Sequence, residues 1–407
     1  MNKPERPRGR DLTNNQTLPK TVIVLGFVSF FNDFASDIVI PLIPILLATV
    51  LAAGPVALGL IEGVAEAIAS FLKLWSGRHS DVMNGRRKGL TLAGYSLSNI
   101  ARPLLGLAGS WVTLLLLRSL DRVGKGLRSA PRDALVADAT PAHMRGYAYG
   151  FHRAMDNGGA VAGGLAAAAV LAWSDLSLTE VILWSAVPGF MAVLLVGAGI
   201  KEDKPQVAQQ PVKLPPLSWA VLSMPMRRYL LVLALFTFAR VSETFILLLG
   251  HQLGVGVVEL LLLWSALNFC KAITATWGGQ LADMLGRGTI MLVGWVAFAL
   301  TFLMLSQVTG NTGLWTIVVI YGLFTGLSEG AERALISDYA QTGEQGTAFG
   351  WYHLVIGISA IPAGLLFGMI WHYQSAEAAF IVAGCLSALA ALLLRCWARI
   401  PPRKHYK

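Results

Sequence analysis

The chain has 407 residues, of which 55% are apolar and only 14% charged, against about 25% charged in an ordinary soluble domain. With a mean hydropathy of +0.60 it lacks the polar surface to coat one or two soluble bodies of this length, which excludes a soluble enzyme and a disordered chain. The net charge of +9 leaves nucleic acid or a membrane surface as its meaning, and the positions of the charges decide between them. A membrane span takes about 20 apolar residues. Apolar runs recur at roughly 21–48, 56–77, 90–109, 111–131, 147–171, 179–199, 229–249, 257–278, 289–308, 313–336, 348–370 and 377–397, which predicts twelve helical spans. The first run is too long for the apolar stretch of a signal peptide and carries Asp33 and Asp37, so it reads as a retained helix.

Lys and Arg set the expected orientation. They crowd the N-terminal tail (Lys3 to Lys20), alternate connections (Arg86, Arg87 and Lys88; Arg145; Lys201 to Arg228; Arg287) and the C-terminal tail from Arg399. The intervening connections, near 50–55, 110, 172–178, 251–256, 309–312 and 371–376, hold neither residue. Both termini are therefore expected in the cytoplasm, and the positive charge is a topology signal rather than a nucleic-acid footprint. The expected organisation is a tail at 1–20, a six-helix bundle at 21–199, a Pro-rich cytoplasmic linker at 200–228, a second bundle at 229–397 and a tail at 398–407. Cys270, Cys385 and Cys396 lie in apolar runs without metal-ligand spacing and read as core filling.

The two halves repeat. Segments 131–166 and 331–366 align without gaps at an offset of 200, with identities that include Leu135/Leu335, Asp138/Asp338, Gly146/Gly346 and Gly164/Gly364. Gly77 and Asp81 recur as Gly279 and Asp283, and the second copy continues to Gly286 and Arg287. The first continues, after one inserted residue, to Gly85, Arg86, Arg87 and Lys88, with Val82 where a basic residue is usual. Two six-span repeats with a midplane site between them make a transporter architecture. The paired Gly-x-x-x-Asp…Gly-basic loops after spans two and eight resemble those of the major facilitator superfamily, and the resemblance runs through the whole chain. It implies an all-α membrane fold of twelve helices in two six-helix pseudo-repeats. It also implies a secondary transporter that is not an enzyme and needs no cofactor or metal, in the plasma (inner) membrane of a prokaryote, working as a monomer on a small solute. By the same resemblance Asp81 and Asp283 belong to a gating motif, and Arg118 matches an arginine implicated in proton coupling. Gly158, Gly159, Gly163 and Gly164 are similar to an exporter motif, with Ala160 in place of its proline.

A charged side chain at a span centre costs roughly 2.5–3.5 kcal/mol on insertion scales, so such residues should face the interior. The candidates for solute or proton binding are Asp33 and Asp37, Glu62 and Glu66, Arg102, Arg118 and Asp121, Arg153 and Asp156, Arg240 and Glu243, and Glu329. Asp33 and Asp37 share a helical face near the midplane, where lost hydration and mutual repulsion suit a carboxyl group that exchanges a proton. Arg153 and His152 are within reach of Asp156 on their own helix. Arg118 and Arg153 point to an anionic or zwitterionic solute. Arg122, Lys125, Arg128 and Arg132, toward one end of span four, read as snorkelling or structurally paired. Glu259 reads as an interfacial group and His353 as a packed polar residue, and His152 with Asp156 has the residue types of a metal pair but no full ligand set nearby. No Gly-x-x-x-x-Gly-Lys-Ser/Thr or His-Glu-x-x-His occurs, which leaves an ATP-driven pump or a membrane-embedded metallohydrolase without its signature; Gly326-Leu-Ser-Glu-Gly330 matches Gly-x-Ser-x-Gly in spacing only, inside the tenth apolar run.

Overall fold

Twelve helical spans follow one another in a computed structural model that describes residues 18–82, 87–141, 144–200, 218–339 and 345–398. They are α1 (Lys20–Thr49), α2 (Pro55–Val82), α3 (Lys88–Leu104), α4 (Trp111–Ala139), α5 (Arg145–Trp173) and α6 (Leu178–Gly199), then α7 (Met224–Gln252), α8 (Val257–Leu285), α9 (Arg287–Leu305), α10 (Asn311–Tyr339), α11 (Gln345–Tyr373) and α12 (Ala376–Cys396). Ten are long and apolar enough to cross a membrane by those measures alone. The other two are α3, with 17 residues and an internal Pro103, and α4, whose 29 residues carry Arg118, Asp121, Arg122, Lys125, Arg128, Arg132 and Asp133. Both are nevertheless packed into the bundle, against each other and against α6 and α2 respectively.

The repeat seen in the sequence is a repeat of helices. α4 and α10 begin and end 200 residues apart, and so do α5 and α11. Both α1 and α7 are interrupted, α1 two-thirds of the way along and α7 just past its middle. In α1 a 3-10 turn, Ile40–Leu42, forms at Pro41, which has no N–H to donate. In α7 the helix stops at Ala239, Arg240 takes φ −79° and ψ 70°, and helix resumes at Thr244. The seventh run, read as one continuous helix from 229, therefore begins earlier, at Met224, and is broken where its charges lie.

Lys20 and Cys396 lie at the same end of the antiparallel bundle, here the terminal end. The ε-ammonium of Lys88 donates to the carbonyls of Gly197 (2.9 Å) and Ile200 (2.6 Å), tying the start of α3 to the finish of α6 there. The halves meet mainly where α2 crosses α11 and α5 crosses α8. At the first crossing a Cβ on Gly63 would stand 2.7 Å from the Ala360 carbonyl oxygen, so the backbones touch as small residues allow. The span-five glycines do the same within the first half: Gly159 and Gly163 press on the backbone of Phe30 and Phe34 in α1. At the far end the Ile43–Thr49 part of α1 packs on Thr244–Gln252 of α7. Large apolar side chains such as Phe27, Ile100, Leu107 and Phe190 face outward, as a bilayer requires. Cys385 and Cys396 are exposed on that surface, not filling the core as their apolar context suggested, and Cys270 is half-buried.

Candidate functional site

The half-helix break in α7 and the polar faces of α1, α2, α4, α5, α8, α10 and α11 surround a cavity of about 1090 Å³ between the two halves. Its lining runs from Gly63, Phe245 and Gly364 in the middle of the bundle to Gly77, Arg78, Tyr149 and Phe349 near the terminal end. The cavity is thus open toward the termini and closed at the far end, where α1 packs on α7.

Of the residues expected at a site, Asp33, Glu62, Glu66, Arg153, Asp156, Arg240, Glu243 and Glu329 line this cavity. Asp37, Arg102, Arg118 and Asp121 do not; they lie behind its wall. Arg118 is 2% exposed, with Nη2 3.2 Å from Glu62 Oε1 and Nη1 3.4 Å from Asp121 Oδ2. Arg102 donates from Nε to Asp121 Oδ1 at 3.0 Å and from Nη1 to Asn32 and Asn99. Arg122 Nε stands 3.5 Å from Asp121 Oδ2. One fully buried carboxylate therefore holds three guanidinium groups, each of which would be very costly to leave unpaired. Arg128, another of the α4 residues read as snorkelling, is also buried, over the Tyr95 ring at 4.6 Å, and donates to Ser98 Oγ at 2.8 Å.

Asp33 and Asp37 separate in role. Asp33 lines the cavity and accepts from Asn32 Nδ2 at 2.8 Å. Asp37 is buried at the seam, where it accepts from the indole N–H of Trp264 on α8 at 2.8 Å. Two further contacts join the halves: Ser242 Oγ to Glu62 Oε2 at 3.3 Å, and Arg153 Nη2 to Glu329 Oε1 at 3.5 Å. Arg153 thus reaches a carboxylate on α10, whereas the local spacing pointed to Asp156. Asp156 is left with His152, whose Nδ1 is 3.4 Å away and whose Nε2 is 2.8 Å from Ser29 Oγ.

On the opposite wall the charges pair off. Arg240 Nη1 meets Glu332 Oε2 at 3.0 Å, and Tyr352 donates to Glu332 Oε1 at 2.7 Å. Lys271 Nζ lies 2.5 Å from Glu243, which also accepts from Tyr321 at 3.0 Å. Glu332, Lys271 and Lys73 line the cavity as well, as the cost of a charge inside an apolar run predicts, and so does Lys125, against the expectation that it snorkels. Glu259 accepts from Asn311 and Trp315 at the far end, consistent with an interfacial group. Of the loop motifs, Gly85 and Arg86 and the side chains of Asp81 and Asp283 lie outside what the structure describes. Arg87 pairs with Asp138, tying α3 to the end of α4. Gly286 ends α8 at φ +97°, a conformation glycine adopts without strain. No group of three or more His, Cys, Asp or Glu that could hold a metal is found among the described residues.

The sequence profile of the Major Facilitator Superfamily matches residues 25–267 and 229–407. An uncharacterized MFS-type transporter of Methanocaldococcus jannaschii is 29% identical over 389 residues, covering 94% of this chain and 96% of that protein. An uncharacterized protein of Mycobacterium tuberculosis is 28% identical over 397 residues, covering 93% of each. Among solved structures, a D-xylose-proton symporter superposes with a TM-score of 0.73 at 16% identity, over 94% of this chain and 98% of its own. A POT family transporter bound to 5-aminolevulinic acid superposes with a TM-score of 0.76 at 12% identity, over 93% and 96%. At those identities the likeness is one of fold.

Proposed function

Because the chain belongs to the major facilitator superfamily, and is therefore a multi-pass membrane transporter of a small solute, we propose that it works by proton-coupled alternating access in the plasma membrane of a prokaryote, with both termini cytoplasmic. The observation that carries the coupling is the placement of Asp33. It is a carboxyl group on the cavity wall that accepts a hydrogen bond from the neighbouring Asn32, whereas Asp37, one turn on, is sealed by Trp264. A proton-carrying group must be reached from the cavity and must be free to change its charge, and Asp33 meets both demands.

In that topology the present arrangement is the inward-facing state. The two bundles, 21–199 and 229–397, rock about the α2–α11 and α5–α8 crossings, and the second loop motif with Asp283 and Arg287 holds the alternate state. Export is the direction we favour, from the span-five glycines, although Gly159 and Gly163 already serve as close-packing positions against α1.

The topology is tested with single cysteines at 53, 175, 311 and 208 in a variant lacking Cys270, Cys385 and Cys396. The first three should react in intact cells with an impermeant thiol reagent, and the one at 208 should not. Labelling at 208 overturns the orientation.

A further inference from the structure

The cations that face the cavity are not equivalent. Arg132, Arg153, Arg240 and Lys271 each have a carboxylate within 4.0 Å, from Asp133, Glu329, Glu332 and Glu243. Lys73 on α2, and Lys125 and Arg128 on α4, line the same cavity, and among the described residues none forms such a pair; Arg128 is spent on the Tyr95 ring and Ser98 Oγ. The helices of the two lysines pack on each other, and each lysine lies in the field of Glu66; Lys125 also feels Asp33, Lys73 and, from behind the wall, Arg122. Between Glu62 and Lys73 on α2, at Arg102 on α3, and from Arg118 to Asp133 on α4, seven basic side chains stand against four carboxylates; Asp33 and Asp156, on α1 and α5, face the same cavity and offset part of that difference. The carboxylates are largely spent: Asp121 is shared by three arginines, and Glu62 is held by Arg118 and Ser242. This wall carries surplus positive charge, and its two cavity-facing ammonium groups are where that surplus meets the open volume.

We propose that Lys73 and Lys125 form an anion-binding subsite for a phosphate or carboxylate group of the transported solute. Ammonium groups act as point charges with rotatable donors, so two of them on adjacent helices suit a compact, multiply charged oxyanion rather than the planar fork an arginine pair would select. In a low-dielectric wall an unpaired lysine is costly; an anionic ligand supplies the missing partner. The subsite rests on the transporter reading only for the statement that its ligand is carried across the membrane.

The test uses the full chain purified in lipid nanodiscs, with inorganic phosphate and succinate as separate probes, titrated at constant ionic strength against chloride. Phosphate or succinate should raise the thermal midpoint of the wild type. Lys125→Gln and Lys73→Gln should each raise the half-saturating concentration at least tenfold, and Lys125→Arg should stay within about threefold of wild type. The probe that binds tighter assigns the group as phosphate or carboxylate. In parallel, pyridoxal 5′-phosphate followed by borohydride should mark Lys73 and Lys125, and the tighter-binding of phosphate and succinate should protect both but not Lys88, which lies outside the cavity. This measurement on the unmutated protein decides the matter if a glutamine variant does not fold. Stabilisation by both probes no greater than by chloride, unchanged half-saturation in Lys125→Gln, or labelling of Lys125 indifferent to both phosphate and succinate overturns the subsite. Anion binding without any gradient-driven transport contradicts the transporter mechanism and leaves the subsite standing.

Discussion

The two halves share a helix plan and differ in what they do with charge. In the second half each cavity-facing cation is closed off by its own carboxylate and a tyrosine hydroxyl: Arg240 with Glu332 and Tyr352, Lys271 with Glu243 and Tyr321. In the first half one carboxylate, Asp121, serves Arg102, Arg118 and Arg122 behind the wall, while Asp33, Lys73 and Lys125 face the cavity without an ion pair among the described residues. A duplicated scaffold thus keeps its backbone geometry, with helix ends 200 residues apart in α4/α10 and α5/α11, while its polar chemistry diverges. The self-neutralised half suits a bundle that moves as a block; the half with surplus charge suits one that binds and releases charged species.

The sharpest way to break this contrast is to remove the shared carboxylate. Asp121→Asn takes the shared carboxylate from three buried guanidinium groups, of which Arg118 alone keeps another, Glu62, and breaking a buried pair costs about 3–5 kcal/mol. The variant should fail to yield monodisperse protein in size-exclusion chromatography or should melt far below wild type. Next in size is the seam. Trp264→Phe removes the indole donor to Asp37 and leaves a buried carboxyl oxygen without its partner, a loss of about 1–3 kcal/mol. That shifts the balance between access states severalfold or more toward the form open at the far end. A cysteine at Ala48, in a variant without the native cysteines, should then react faster with an impermeant reagent applied from that side. The smallest effect belongs to the self-paired wall. Glu332→Gln leaves a hydrogen-bonding partner for Tyr352, and the Arg240 side chain is 36% exposed, so solvent screens the loss to about 1 kcal/mol or less. If Glu332→Gln lowers the melting temperature as much as Asp121→Asn, the two halves are not different in the way described.

The twelve spans were legible because hydropathy and the Lys/Arg alternation are local signals, and they found even α3 and α4, whose length or charge defeats an apolarity criterion. The break in α7 was not, since Arg240 to Glu243 contains neither proline nor glycine and only tertiary packing halts the helix there; in α1, Pro41 did mark the place. Candidate residues were legible to the extent that their cost demanded an interior position, which is how Asp33, Glu62, Glu66 and Glu329 were found. Whether an interior residue faces the cavity or the packed wall depends on helix rotation, which the sequence does not encode locally. Arg118 was accordingly expected at the site and sits behind it, while Lys125 was expected to snorkel and lines it. Pairs across the seam, Asp37 with Trp264 and Arg153 with Glu329, join residues 227 and 176 positions apart and follow from the docking of the halves alone.

Asp33→Asn tests the account at its centre, because the substitution fixes this cavity-facing carboxyl in a neutral form. With a solute identified by its stabilisation of the purified protein, wild-type proteoliposomes should move it against its gradient when a pH gradient is imposed. The Asp33→Asn protein should lose that accumulation and retain counterflow exchange of the same solute. Accumulation by Asp33→Asn at the wild-type rate would contradict the assignment and leave Asp33 as a hydrogen-bonding residue of the cavity wall.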